Sequence, residues 1–232
     1  MDADGSHRVR LLEHEPAVAF PTGCGRADMA VLGLVRERSS ALSLYKLNLS
    51  SSELKHLTSD TGDVQPSCTP DGKWVVYKSI SGGGDHIMKI SSDGGTPVEL
   101  ATGALFRPYI SPDGKLVVYG RLLGEGAKQK REFVIQSIEG GAPVRVLSPT
   151  KRMMIQFGWF PDGKALMVVK DTGLARNLFR LPLSGGDLVQ LTHFDSEPLL
   201  VNAVAWSRDG KKLAITRRRR NTTDAVTFTN FR

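Results

Sequence analysis

Apolar residues along this chain fall into short runs that return at long intervals. Four runs follow an Asp-Gly-Lys tripeptide, at residues 74–77, 116–119, 165–169 and 213–215. They are apolar at successive positions, which is typical of strands covered on both faces. The runs that follow them are half apolar or strictly alternating, as the two-residue period of an exposed strand requires. No segment keeps a 3.6-residue period, so the pattern predicts an all-β protein almost without helix.

Two independent sequence markers share one repeat length. The aspartate of the Asp-Gly-Lys tripeptide occurs at 71, 113, 162 and 209, with steps of 42, 49 and 47 residues. A Gly-Gly pair followed by an apolar-polar-apolar triplet has its second glycine at 95, 141 and 186, with steps of 46 and 45. Four short strands in each repeat of this length predict the blade of a β-propeller.

The repeated aspartates and glycines are interpreted as structural turns. Aspartate caps its own turn, and glycine adopts a positive φ at no steric cost. Because no repeat holds more than one such aspartate, the set is not expected to converge on a substrate as paired catalytic carboxylates must. The turn residues are Asp71, Gly72, Asp113, Gly114, Asp162, Gly163, Asp209 and Gly210.

The repeats predict a single β-propeller domain over residues 1–232 with about five four-stranded blades. The expected blades are residues 15–58, 63–101, 106–147, 154–192 and 201–232, the last completed by residues 6–12. The fifth repeat has only three strand-like runs, whereas residues 4–12 resemble an isolated turn and fourth strand. Pairing these termini would close the last blade and cover an exposed strand edge. The alternative is that the chain is a fragment of a larger propeller.

Two cysteines, Cys24 and Cys68, are too few for a disulfide framework. We expect two unpaired thiols, and a single bridge between neighbouring repeats is the alternative. No apolar run approaches the length of about 20 residues that a membrane-spanning helix needs. The N-terminal MDADGSHRVR lacks the apolar region of an export signal, so none is expected in this sequence.

Catalytic and metal-binding patterns are not found in the sequence. The five histidines form no HxxxH or HExxH pair, and no GxSxG motif is present. The glycine-rich stretches at 23–25 and 82–84 lack the following lysine and helix of a phosphate loop. We therefore expect no enzyme activity, no bound metal and no cofactor.

Positive charge gives the one candidate contact surface in the sequence. The net charge is +7, and the loops after the second strands hold many of the basic residues. Such a surface would favour an acidic protein partner, whereas the arginines lack the interleaved aromatic residues of a single-stranded nucleic acid platform. Nucleic acid is therefore not the expected partner. The candidate contact residues are Arg121, Lys128, Lys130, Arg131, Arg217, Arg218, Arg219 and Arg220.

The repeats resemble the TolB-type, WD40-like (PD40) propeller family. The resemblance is carried by the Pro-Asp-Gly-Lys turn, the apolar second strand and the Gly-Gly or Asp-Gly turn before the fourth strand. It implies a monomeric, non-catalytic scaffold that binds a protein partner or another ligand. The alternative is the propeller segment of a larger protein, either a prolyl-oligopeptidase-like enzyme or the sensor end of a bacterial kinase or transcription regulator. The compartment is left open: periplasmic if the chain follows TolB-like relatives or an anchored parent, and cytoplasmic otherwise.

Overall fold

The structure is a computed structural model that describes residues 10–12, 17–35, 42–59, 62–124, 129–148, 153–172, 175–194, 204–207, 209–219 and 222–229. Within these ranges the chain forms 19 strands and no helix. The all-β prediction is therefore confirmed. None of the described residues belongs to a helix capable of spanning a bilayer.

The strands build four sheets of four strands and one sheet of three, each hydrogen-bonded in chain order. Hydrogen-bonded neighbours such as β6 with β7 and β14 with β15 run antiparallel. The first two sheets contain β1 (Ala17–Cys24), β2 (Arg26–Val35), β3 (Ser43–Asn48), β4 (Leu54–His56), β5 (Val64–Cys68), β6 (Trp74–Ser81), β7 (Gly84–Ser91) and β8 (Val98–Gly103).

The remaining three sheets repeat this pattern, although the last has only three strands in the described residues. They contain β9 (Leu105–Ile110), β10 (Leu116–Leu123), β11 (Lys130–Ser137), β12 (Arg145–Leu147), β13 (Met153–Trp159), β14 (Ala165–Asp171), β15 (Arg176–Pro182), β16 (Val189–Gln190), β17 (Val204–Trp206), β18 (Lys212–Arg219) and β19 (Thr222–Thr229).

The chain divides into two compact units. The first unit comprises residues 1–123 and 134–146, and the second comprises residues 124–133 and 147–232. The first unit therefore holds the first two sheets and most of the third, while the second holds the fourth and fifth sheets. The predicted blade limits and the closure of a fifth blade by residues 6–12 stay predictions.

The core of the first unit explains why its second strands are apolar at every position. Val75 and Tyr77 of β6 pack with Val31 and Leu44 of the first sheet. Val76, between them, packs instead with the third sheet, whose contribution includes Val117. Alternate residues of one strand point to opposite faces. A strand lying between two sheets must therefore be apolar on both faces.

The core of the second unit has the same composition. Met167 and Val169 of β14 and Leu178 of β15 are buried together with Leu213 and Ile215 of β18. The fourth and fifth sheets therefore share one apolar cluster. Leu191, which follows β16, packs against this cluster from its edge.

The N-terminal residues that the structure describes contact the first sheet. Leu11 and Leu12 pack against the cluster formed by Leu32, Leu34, Tyr45 and Leu47. Residues 10–12 are not in a strand, and residues 6–9 of the predicted fourth strand lie outside the described ranges. In the same way, Leu100 and Ala101 of β8 pack against the cluster of the following sheet.

The expectation of two unpaired thiols is wrong. Cys24, at the end of β1, is bonded to Cys68, at the end of β5. Their Cα atoms lie 5.0 Å apart, within the range of disulfides in proteins. The bridge joins neighbouring repeats, which was the alternative in the sequence interpretation. The spacing of two cysteines could not show this, because pairing depends on how adjacent sheets are stacked.

Candidate functional site

The repeated aspartates are held inside their own turns. The Thr69 hydroxyl donates a hydrogen bond to Asp71 Oδ1 at 2.6 Å, and the Lys73 N–H donates to the same oxygen at 3.0 Å. The Trp74 N–H in turn donates to Thr69 Oγ1 at 3.0 Å. The carboxylate therefore ties the end of β5 to the start of β6.

The same network recurs in two further turns. Asp113 Oδ1 accepts hydrogen bonds from the Ser111 hydroxyl at 2.5 Å and the Lys115 N–H at 3.1 Å. Asp209 Oδ1 accepts from the Ser207 hydroxyl at 2.6 Å and from the N–H of the lysine two positions later at 3.0 Å. Repetition of the hydroxyl two residues before the aspartate indicates a structural requirement.

The turn at Asp162 departs from this pattern because Phe160 stands where the other turns have a serine or threonine. The Lys164 N–H still donates to Asp162 Oδ1 at 2.9 Å. Arg180 supplies the missing partner, with its guanidinium 2.7 Å from Asp162 Oδ2 and 4.5 Å from the centre of the Phe160 ring. The ion pair between Arg180 and Asp162 thus stabilises this turn in place of the missing hydroxyl.

Hydrogen bonding lowers the pKa of each turn carboxyl below its ordinary value of 3.8. At Asp71, Asp113 and Asp209 the largest cause is the hydroxyl donor, followed by the backbone N–H. At Asp162 burial works to raise the pKa, but the bonds from Arg180 and Lys164 outweigh it. A carboxyl with a lowered pKa is poorly suited to donate a proton at neutral pH.

Neighbouring turns also contact one another through their glycines. A Cβ atom on Gly114 would lie 3.1 Å from Pro70 Cδ, and one on Gly210 would lie 2.7 Å from Pro161 Cβ. Both glycines have positive φ angles, +75° and +68°. Glycine is therefore needed at these turns for backbone conformation and also for space.

The basic candidate residues are divided between the two units. Arg121, on β10 in the first unit, is half-buried, whereas Lys130 on β11 in the second is exposed and its neighbour Arg131 half-buried. Arg217, Arg218 and Arg219 extend β18, with their backbones opposite Asp224, Thr223 and Thr222 of β19. Lys128 and Arg220 lie outside the described residues. A contact role for this set stays a prediction.

The structure reveals a second candidate surface that the sequence interpretation missed. Phe20, Gln65 and Arg107 have φ angles of +52°, +56° and +50°. Left-handed conformations are uncommon for residues other than glycine and cost on the order of 1–3 kcal/mol each. The three residues lie in β1, β5 and β9, the first strands of three successive sheets. Each strand shows a register irregularity at that point.

These three first strands lie side by side in the first unit, since β1 contacts β5 and β5 contacts β9. The Arg107 N–H donates to the Gln65 side-chain oxygen at 3.0 Å. The Ile110 N–H donates to the Ser67 hydroxyl, also at 3.0 Å. Side chains of β5 thus hydrogen-bond to the backbone of β9 and hold the two irregular strands together.

The same sheets carry exposed apolar side chains. Phe20 is 45% exposed, Ile80 near the end of β6 is 51% exposed, and Leu123 at the end of β10 is 41% exposed. We use the name loop end of the first unit for Phe20, Gln65, Ile80, Arg107 and Leu123. Gln65 and Arg107 lie near the start of their first strands, Ile80 and Leu123 lie near the end of their second strands, and Phe20 lies midway along β1.

A sequence signal for this surface exists. Phe20, Gln65 and Arg107 each precede a proline: Pro21, Pro66 and Pro108. Proline inside a strand is found mainly at edges and bulges, because it cannot donate a ladder hydrogen bond. A proline at the corresponding position of three successive repeats therefore indicates that their first strands share a break in regular strand pairing.

No group of three or more metal-ligating side chains occurs among the residues that the structure describes.

Comparison with known proteins gives a match in fold. No protein-family model matches the sequence, and no curated protein matches it. Among solved structures, TolB from Acinetobacter baumannii superposes with a TM-score of 0.74 at 17% identity, over 99% of this chain and 56% of TolB. This chain thus spans little more than half the length of that relative.

Two further structures show the same likeness. A putative TolB from Agrobacterium tumefaciens matches with a TM-score of 0.73 at 17% identity, over 92% of this chain and 77% of its own. The β-propeller domain of the Trilobed protease from Pyrococcus furiosus matches with a TM-score of 0.61 at 10% identity, over 92% and 70%. The repeats, the sheets and these likenesses together give this chain a TolB-like β-propeller repeat fold.

Proposed function

We propose that the chain is a non-catalytic scaffold that binds a protein partner through the loop end of the first unit. The observation that supports this most is the row of left-handed residues Phe20, Gln65 and Arg107 in three neighbouring first strands. Backbone strain persists where surrounding structure maintains it, and it is concentrated at functional sites. Phe20 is both a left-handed position and an exposed apolar side chain.

Ion pairs connect the sheets that carry this surface. Lys46 on β3 forms an ion pair with Asp93 of the second sheet at 2.9 Å, and Lys89 on β7 pairs with Glu139 of the third sheet at 3.0 Å. Binding groups on a rigid framework lose little conformational entropy when a partner docks. Phe20 supplies an aromatic contact of the kind that dominates interface energies.

The TolB-like neighbours support a scaffold role. The turn aspartates also favour it, because hydrogen bonds within their own turns occupy their carboxylates. These bonds are made to Oδ1 of each carboxylate. A scaffold role requires only that the aspartates stabilise these turns.

The matched test compares two triple variants of the first unit. The first changes the loop end, Phe20→Ser, Ile80→Ser and Leu123→Ser. The control changes Val98→Ser, Val144→Ser and Val146→Ser, residues on or next to outer strands that are 54%, 65% and 41% exposed. Affinity purification with mass spectrometry identifies partners of the wild-type chain, and calorimetric titration with the purified partner measures the dissociation constant.

We expect the loop-end variant to weaken binding at least tenfold, because about 1.4 kcal/mol corresponds to a factor of ten. The outer-strand variant should bind as the wild type does. Equal binding by both variants would refute the proposal for this surface.

A salt-dependence experiment tests the basic candidate residues separately. Replacing Arg217, Arg218, Arg219 and Arg220 by serine should reduce capture of an acidic partner most at low ionic strength, because salt screens exposed charges. Identical recovery at every salt concentration would remove these arginines from the contact surface.

A second candidate function is the propeller segment of a larger enzyme or sensor. The likeness to the propeller domain of a protease supports this alternative. Sequencing the native reading frame on both sides of this segment distinguishes the two. An adjoining hydrolase, kinase or DNA-binding segment would favour the larger protein.

A further inference from the structure

We propose that the Cys24–Cys68 bridge is a redox-dependent lock that replaces a turn missing from the first sheet. In that sheet β1 ends at Cys24 and β2 begins at Arg26, so Gly25 alone connects them. The second to fifth sheets have an Asp-Gly-Lys turn at the equivalent place. The first sheet therefore lacks the hydrogen-bonded turn on which its neighbours rely.

The missing turn would also contact the next sheet. Between the second and third sheets Pro70 meets Gly114, and between the fourth and fifth Pro161 meets Gly210. No proline occupies this place in the first sheet. Gly25 instead lies directly against the backbone of Gly72, too close for a Cβ atom. Beside this contact the disulfide ties β1 covalently to β5.

Burial protects the bridge in the folded protein. Cys24 is 3% exposed and packs with Val31, Leu44 and Val75, while Cys68 is half-buried against the same cluster. A thiolate must reach one of the two sulfurs to exchange with the bridge. Because Cys24 is buried in an apolar cluster, we expect attack on its sulfur to require that β1 and β5 separate.

The chemistry is an ordinary thiol–disulfide exchange. Formation of the bridge oxidises both thiols, which lose two protons and two electrons. A small or protein disulfide accepts them and is reduced to two thiols. The reverse reaction consumes a dithiol reductant, which is oxidised to its disulfide. The lock therefore closes in compartments that supply a disulfide oxidant and opens in those that keep thiols reduced.

Thiol counting and thermal melting test this proposal on the complete chain. The wild-type protein is recovered from an oxidising and from a reducing host compartment, and free thiols are alkylated and counted by intact mass. Melting is then measured with and without a dithiol reductant. The double variant Cys24→Ala with Cys68→Ala is the control.

We expect no free thiol in the protein from the oxidising compartment and two in the protein from the reducing one. Reduction should lower the melting temperature of the bridged protein by about 5 °C or more, since a bridge of this loop length constrains the unfolded chain. The double variant should melt at nearly the same temperature as the reduced protein, and the reductant should not change that temperature. Two free thiols in protein from the oxidising compartment, or one melting temperature for both redox states, would overturn the proposal. The bridge lies at the turn end of β1 and β5, so this outcome does not depend on binding at the loop end.

Discussion

At the scale of single residues, the turn aspartates show how one residue type can suggest chemistry and serve structure. Asp71, Asp113 and Asp209 each accept a hydroxyl and a backbone N–H on one carboxylate oxygen. The ionised form makes these bonds best. The turns should therefore depend on pH in a direction that the lowered pKa values fix.

The first prediction concerns acid stability. Because the pKa of each carboxyl is lower in the folded chain than its ordinary 3.8, the stabilisation is fully present above that value. It is lost as pH falls through the folded pKa. We expect the triple variant Asp71→Asn, Asp113→Asn and Asp209→Asn to melt below the wild type at pH 7 and to approach it near pH 2.

Melting followed by circular dichroism between pH 7 and pH 2 measures this convergence. Asp187→Asn, at an exposed aspartate outside these turns, is the control and should leave the wild-type profile unchanged. A constant gap between the triple variant and the wild type at every pH would contradict the prediction. Partner binding by the folded variant should be retained.

The second prediction separates the two reasons for glycine in the turns. Gly114 has φ +75°, and a Cβ added to it would lie 3.1 Å from Pro70, whereas Gly83 has φ +81° and its added Cβ would meet nothing within 4 Å. Alanine at either position meets the left-handed penalty of about 1–2 kcal/mol. Gly114→Ala should reduce the free energy of unfolding by more than Gly83→Ala, as chemical denaturation can measure. Equal losses in the free energy of unfolding would show that Pro70 can move aside at little cost.

At the scale of elements, the third strands of the first two sheets each form an ion pair with the following sheet. Lys89 on β7 is 7% exposed, pairs with Glu139 at 3.0 Å, and lies with its ammonium 4.6 Å from the centre of the Trp74 ring. Lys46 on β3 makes the corresponding pair with Asp93. A long aliphatic stem packed under a charged end contributes through both parts.

The third prediction distinguishes those parts. Lys89→Ala removes the stem and the charge, and should lower the free energy of unfolding by about 2 kcal/mol. Lys89→Met keeps an unbranched apolar stem, so its loss should stay below about 1 kcal/mol, because apolar residues can replace buried ions at little cost. Urea denaturation of both variants provides the comparison. Because both variants remove the charge, equal losses for methionine and alanine would mean that the charge, not the stem, dominates.

At the scale of the whole molecule, the described N-terminal residues pack against the first sheet. Leu11 and Leu12 cover an apolar cluster of the first sheet, as Leu100 and Ala101 of β8 cover that of the third. The role of this segment as a blade's fourth strand stays a prediction. This contact agrees with a closed last blade and equally with a larger propeller.

The fourth prediction follows from this contact. Deleting residues 1–12 removes two half-buried leucines and should reduce the free energy of unfolding by about 2–3 kcal/mol. Differential scanning calorimetry would measure the shift, with deletion of residues 1–9 as the control that keeps both leucines. An unchanged melting temperature in the longer deletion would show that residues 10–12 do not stabilise the fold.

Much of this architecture could be predicted from local sequence. The Asp-Gly-Lys turns, the doubly apolar second strands and the repeat length depend on interactions between residues close in the chain. The proline after Phe20, Gln65 and Arg107 was also visible, but its effect on φ requires the pairing of each first strand with its neighbour. The surface at the loop end could not be assembled from the sequence, because it joins residues that come from different repeats.

The sequence by itself therefore determined the all-β repeat and the identity of its turns, since both arise from short-range patterns. Only the tertiary structure decided that Cys24 bonds to Cys68, that Gly114 must leave room for Pro70, and that the left-handed residues Phe20, Gln65 and Arg107 lie in three neighbouring strands. The physical reason is the same in each case. These contacts depend on how one sheet stacks against the next, and the stacking distance and register are set by side chains from different repeats.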